Sequence, residues 1–359
     1  MGVYTSINDP SIYFQAATYS GNGGANTITN DGLSNLQPDW LWFKERSSTS
    51  SHHVFDTSRG VGGSGKALYP DVSNAENADT ALTSVNTDGF TLANTGGFNE
   101  NGQTNVCWQW KCNGGTASSN SDGSIAVNLQ VNQAAGFSIG TFTGTGSNAT
   151  IGHGLGVAPD VVLVKSRSEN ESWQMYHQGM GAFKAVELDA NGSVVTNSNR
   201  WQNTSPTSSV SYLGTGNSVN KSSQNYVVYS FVDKQGYSRF GKYVGNGNAD
   251  GTFIYTGFKP AFLMIRRFDA GNNWMMHDEK RGNQGVRSNP QDDVLYADLN
   301  NAEADEDIDF LSNGFKCRVT GGGYNTSSGE YLFWAFAQNP FCYVNGSTNN
   351  SKINYDIRN

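Results

Sequence analysis

Three short apolar runs share one setting in this chain: Trp40-Leu-Trp-Phe43, Val161-Val-Leu-Val164 and Phe262-Leu-Met-Ile265. Each begins two residues after a proline (Pro38, Pro159, Pro260) and ends in basic residues (Lys44 and Arg46, Lys165 and Arg167, Arg266 and Arg267). A run without alternation predicts a strand covered on both faces. A proline, lacking an N–H, suits the start of such a strand rather than its interior. Upstream of each stands an aromatic and a Gly-x-Gly turn, at Tyr19 to Gly24, Phe142 to Ser147 and Tyr243 to Asn248; from aromatic to proline is 19, 17 and 17 residues. Downstream, three stretches are rich in large apolar side chains and close the pattern: Asn105 to Lys111, Tyr226 to Val232 and Tyr331 to Ala337. From the proline to the central aromatic of these closing strands (Trp108, Tyr229, Trp334) is 70, 70 and 74 residues.

The recurrence extends to single residues. Leu68-Tyr-x-Asp-x-x-Asn-Ala-Glu76 reappears as Leu295-Tyr-x-Asp-x-x-Asn-Ala-Glu303, and Asp56, His177 and Asp278 each follow their proline by 18 residues. The pattern predicts an all-β chain of three related antiparallel β-sandwich-like repeats, of jelly-roll or lectin-like type, each about 100 residues long. The expected organisation is an N-terminal arm (1–15), repeat 1 (16–112), a Gly/Ser/Asn-rich linker or exposed hairpin (113–135), repeat 2 (136–234), repeat 3 (235–341) and a polar tail (342–359). Separate modules fit this spacing best; one sheet system with a shared core is the alternative.

Composition sharpens the β reading and narrows the function. Of 359 residues 36% are hydrophobic, only 15% are charged and 43 are glycine, which suits short strands and tight turns better than amphipathic helices. The formal net charge is −8 and the basic residues are scattered, unlike the basic stripe that a nucleic-acid backbone requires. No apolar run approaches a membrane span, so no membrane insertion is expected. The N-terminus has no charged segment followed by an apolar one, so the chain is expected to be used without Sec export or to leave its cell by lysis. Cys107 and Cys112 fall on opposite faces of a strand, and with Cys317 and Cys342 they read as buried free thiols; no metal site and no cofactor is expected.

Candidate chemistry is sparse. Gly60 to Lys66 approximates a phosphate-binding loop but places Ala67 where a magnesium-binding hydroxyl belongs. Asn246 to Gly251 opens like a calcium loop but puts Gly257 at the position of the bidentate acid. The acidic run Glu303 to Asp309 reads as a solvated loop. His177 and His277 lie near corresponding places of two repeats, and Asp56/Arg59 and Asp278/Arg281 suggest a repeated ion pair. Trp173 and Trp274 precede these positions, where exposed rings would stack on sugars and buried ones would pack the core. Trp173, Trp274, His177, His277 and Arg281 are thus the candidate ligand-binding residues. No catalytic set is expected, since neither a nucleophile elbow nor a His-Glu-x-x-His appears.

The strings Gln37-Pro-Asp-Trp-Leu-Trp-Phe-Lys-Glu-Arg-Ser47, Asp56-Thr-Ser-Arg-Gly-Val-Gly62, Thr143 to Gly156 and Asp307 to Lys316 carry a resemblance. The chain resembles a family of tailed-phage virion or tail-fibre-like structural proteins, common in marine phages. That resemblance implies a virion location, assembly in the host cytoplasm and release by lysis. It implies other virion subunits as partners, a homo-oligomer (a trimer, as in phage fibres), and a host-surface carbohydrate or receptor as ligand. A purely structural decoration or tail-assembly protein is the alternative, and a polysaccharide depolymerase ranks below both.

Overall fold

The structure is a computed structural model that describes residues 5–93, 97–282 and 289–340; the polar tail expected from residue 342, with Cys342, lies outside the described residues. Each apolar run forms a strand two residues after its proline, at Trp40–Glu45, Val161–Ser166 and Phe262–Arg267. Each lies between a closing strand (Thr104–Trp110, Asn225–Phe231, Glu330–Phe336) and a following strand (His53–Asp56, Gln174–His177, Trp274–Asp278), and an opening strand (Phe14–Ser20, Phe137–Thr143, Ser238–Val244) flanks the closing one. The order opening, closing, proline-led, following is the same all three times, and all pairs are antiparallel. Register matches too: Trp42 faces Trp108, Leu163 faces Tyr229 and Met264 faces Trp334. The chain is thus an all-β assembly of antiparallel sheets with sandwich-like layering.

Strand alternation divides each proline-led strand between two cores. Leu41 and Phe43 enter the first unit's own outer core, Val162 and Val164 the second's, Leu263 and Ile265 the third's. Their alternates Trp40, Trp42, Val161, Leu163, Phe262 and Met264 all enter one common core. Its aromatic rings touch across every boundary: Trp40 stacks on Tyr229 at 4.9 Å, Trp108 meets Phe262 edge-on at 5.6 Å, and Phe231 meets Trp334 at 5.3 Å. Three sheets therefore face a common centre, each with its outer face covered by its own short strands. The molecule is neither three free-standing modules nor one continuous sheet.

The units differ at their margins. In the third, one sheet of eight strands runs from Ser238–Val244 to Phe253–Tyr255, which form its two edges. In the second, Ser118–Asn120 and Val127–Asn132, within the segment expected to be a linker or an exposed hairpin, form an antiparallel hairpin that extends the sheet beyond Phe137–Thr143. Val127 and Leu129 are buried in the outer core, which is what draws this polar segment into the sheet. The expected arm also folds: Pro10–Ile12 is a 3-10 turn capped by the Asp9 side chain, and the first strand begins at Phe14. The acidic run is a strand, Ala304–Leu311, rather than a solvated loop, because Ile308 and Phe310 anchor it in the third outer core. Cys107, Cys112 and Cys317 are free and buried, the first two in different cores.

Candidate functional site

The five candidate residues lie inside the molecule. Trp173, Trp274, His177, His277 and Arg281 are all fully buried, so neither tryptophan offers a ring to a sugar at the surface. The Trp173 Nε1–H donates to the Tyr69 carbonyl at 2.9 Å, and the Trp274 Nε1–H to that of Glu187 at 2.9 Å. The third member is His52, whose Nδ1 accepts from Trp42 at 2.8 Å, leaving Nε2 to donate to the Tyr296 carbonyl at 3.0 Å. The backbone N–H groups of His52, Trp173 and Trp274 are held by Asp71, Asp189 and Asp298. The second unit thus bonds to the first, the first to the third and the third to the second. These residues form a cyclic set of interlocks, and their polarity belongs to packing between units.

Arg281 belongs to a second ring. Asp278 accepts from Arg281 Nε at 2.5 Å and from Trp108 Nε1 at 2.8 Å, and Arg281 also pairs with Glu303 at 2.7 Å. Asp56 likewise accepts from Arg59 Nε at 2.5 Å and from the Tyr229 hydroxyl at 2.6 Å, with Glu76 beside Arg59 at 3.4 Å. Burial opposes the charge on Arg281, but Asp278 and Glu303 outweigh it and hold the guanidinium protonated. In the second unit His177 stands where the aspartate belongs. The matching donor, Trp334 Nε1, has no hydrogen-bond partner among the described residues, and His177 Nε2 lies 3.4 Å from the Phe333 carbonyl instead. Burial pushes the His177 imidazole down to about 4, so it is neutral. His277 points into the third outer core, where Nε2 meets the Tyr324 hydroxyl at 2.6 Å. Burial, then Arg281, pushes it down to about 3. The two histidines are on different faces and form no common site.

The surface holds a better candidate. A groove of about 560 Å³ runs between the two edges of the third sheet, bounded by Arg239 to Tyr243 and by Phe253 to Tyr255, with Gln178 and Gly179 of the second unit at one end. The corresponding edges of the other units are covered. In the second unit Val127–Asn132 pairs along Phe137–Thr143, and Ile125 bridges to Ile151. In the first, the Gln15 amide grips a loop by donating to Ser34 O at 2.7 Å and accepting from Gly32 N at 2.8 Å; a Cβ at Gly32 would meet that amide at 2.4 Å. In the third unit the gap stays open among the described residues.

Phe253 and Tyr255 are 44% and 55% exposed, while Ile254 between them is buried. Arg239 and Lys242 are more than half exposed and leave opposite faces of the strand. Gly241 lies between them, where a Cβ would meet the Phe333 ring at 2.7 Å, so the floor is flat there. At the seam, Asp233 accepts from Phe240 N at 2.6 Å and pairs with Arg239 at 2.9 Å, and its own N–H donates to Asp160 at 2.7 Å. Burial first, then Asp160, pushes the Asp233 carboxyl up to about 7. Among the described residues no group of three or more His, Cys, Asp or Glu is placed to hold a metal ion. Flat rings, two cations and exposed amides are equipment for recognition. The groove was not singled out by sequence, although Phe253-Ile-Tyr255 carries a signal: an alternation whose outward residues are both aromatic.

A family model described as a domain of unknown function (DUF7483) matches residues 9–340. No curated protein matches the chain. The match starts at the capping residue of the first turn and ends just beyond the last closing strand, so it takes in all three sheets. The chain belongs to this family of domains of unknown function.

Proposed function

We propose that this protein is a phage virion component displayed on the tail or particle surface, fibre- or adhesin-like, that binds a host-surface glycan or receptor. The carrying observation is the groove of the third unit, which stays open among the described residues beside the exposed ring of Phe253, where the other units cover the corresponding edge. Natural proteins blunt or cover sheet edges and seldom expose apolar rings beside them without a use. The resemblance of its long strings to tail-fibre-like proteins is what supports the virion setting, and association as a homo-oligomer, a trimer, is part of the same proposal. Purified protein should bind host cells and reduce phage adsorption, and gold-labelled antibody should decorate intact particles at the tail or surface. Decoration without any effect on adsorption would favour the second reading, a structural decoration or tail-assembly subunit, which the rigid shared core suits equally. Release of reducing ends from host polysaccharide would instead require the depolymerase reading.

A further inference from the structure

We infer that Asn191 is a modification site, where the chain converts its own asparagine to aspartate or isoaspartate through the Gly192 nitrogen, with water as the co-reactant.

An asparagine followed by glycine is open to attack on its own side-chain amide, because glycine has no Cβ to obstruct the nitrogen that attacks. Seven such steps occur in the chain, at Asn22, Asn101, Asn113, Asn191, Asn246, Asn313 and Asn345. The last lies outside the described residues. Attack requires a glycine nitrogen free of hydrogen bonds and a backbone free to turn. Four steps fail the first condition. Gly23 N donates to Asn99 O at 2.9 Å, Gly102 N to Gly21 O at 2.9 Å, Gly114 N to the Asp39 carboxylate at 2.9 Å and Gly247 N to Asn325 O at 2.8 Å. All four glycines are also held at positive φ in their turns. Gly314 fails the second condition, because it is buried in a strand paired on both sides.

Asn191-Gly192 meets both. The two residues are exposed, in the loop between Lys184–Glu187 and Val195–Thr196. The Gly192 N–H has no hydrogen-bond partner among the described residues. The Asn191 amide is lightly held, donating to Asn273 Oδ1 at 3.3 Å. The Gly192 nitrogen gives up its proton to solvent and attacks Asn191 Cγ. The N–Cγ bond forms, the Cγ–Nδ2 bond breaks and ammonia leaves. Water then opens the cyclic imide at one carbonyl or the other, giving aspartate or isoaspartate.

The site also bears on the boundary between two units. Gly192 O accepts from Nη2 of the buried Arg266 at 2.5 Å, and Nε and Nη1 of that guanidinium have no hydrogen-bond partner among the described residues. Isoaspartate adds a methylene to the backbone immediately before Gly192 and displaces this carbonyl. A buried donor then loses its acceptor, which loosens the contact between the second and third units.

The test is peptide mapping by mass spectrometry of the full chain, aged in warm, mildly alkaline buffer once folded and once in urea. In the folded protein, conversion at Asn191 should run about tenfold or more faster than at Asn22, Asn101, Asn113, Asn246 or Asn313. In urea the six should convert at similar rates. Gly192→Ala should slow conversion at Asn191 by about tenfold or more. That variant should fold normally, since its Cβ meets nothing within 4 Å and φ there is not positive. Aged wild type should unfold at a lower urea concentration than fresh protein, and aged Gly192→Ala should not. Conversion at Asn191 no faster than at the other five in the folded protein, or indifferent to Gly192→Ala, would overturn the site. Conversion that leaves the unfolding midpoint unchanged would overturn its effect on the boundary.

Discussion

Asp278 shows how much a single buried carboxylate holds in this molecule. It neutralises Arg281 and receives the Trp108 indole of another unit, so Asp278→Ala leaves a fully buried guanidinium without its nearest counter-charge. Urea denaturation should register a loss of about 3–5 kcal/mol. The second unit makes the reciprocal case. Met180 follows His177 by three residues as Arg59 and Arg281 follow their aspartates, and Val194 follows Asp189 by five as Glu76 and Glu303 follow Asp71 and Asp298. His177, Met180 and Val194 thus stand where the others have Asp, Arg and Glu. His177→Asp alone should destabilise, for it buries a carboxylate with no cation beside it. Adding Met180→Arg and Val194→Glu should recover part of that loss, with a coupling above about 1 kcal/mol between the changes. Asp233 carries a pH signature. Its carboxyl rises from an ordinary 3.8 to about 7 in the fold, so the stability it contributes is present below 3.8 and lost as pH rises through 7. Relative to Asp233→Asn, the wild type should therefore lose stability between about pH 4 and 7, on the order of a few kcal/mol at most.

At the scale of elements, edges decide what is surface. The hairpin of Ser118–Asn120 and Val127–Asn132 covers the second unit's opening strand and buries Val127 and Leu129. A flexible linker would tolerate Leu129→Ala; here the substitution should cost about 2–5 kcal/mol by thermal or urea unfolding. Gly, Ser and Asn content predicts a linker or an exposed hairpin; the hairpin forms, and the alternation Val127-Asn-Leu-Gln-Val131 within it is what ties it to a core. The acidic run behaves in the same way, since Ile308 and Phe310 alternate at its end and seat it in the core as a strand. Where polar residues dominate, two buried side chains in register are enough to place a strand, provided a core exists to receive them.

The whole molecule is organised by the core that no unit owns. Trp40, Trp108 and Trp110 pack against rings of the other two units and Trp42 is buried in the same shared core, so a fragment of residues 16–112 would present four indoles to water. That fragment should lack a cooperative transition and should bind a hydrophobic dye, while the full chain should unfold in a single step by circular dichroism. Two separate transitions in the full chain would contradict a shared core. The cyclic interlocks reinforce this, each unit donating to one neighbour and accepting from the other.

The sequence by itself determined the strand class, the proline-led starts and the 70-residue spacing, because alternation, missing N–H groups and turn glycines act locally. It also marked positions 56, 177 and 278 as equivalent, though not what they do. Only the tertiary structure decided that both faces of each apolar strand are covered by different partners, one within the unit and one shared. It alone moved Trp173, Trp274, His177, His277 and Arg281 from candidate ligand contacts to the interior, the two tryptophans as interlocks between units, since burial is a property of neighbours distant along the chain. The open groove has the same origin. Phe253 is exposed because the third sheet curls without its two edges pairing, and that is settled by which of the described residues reach those edges.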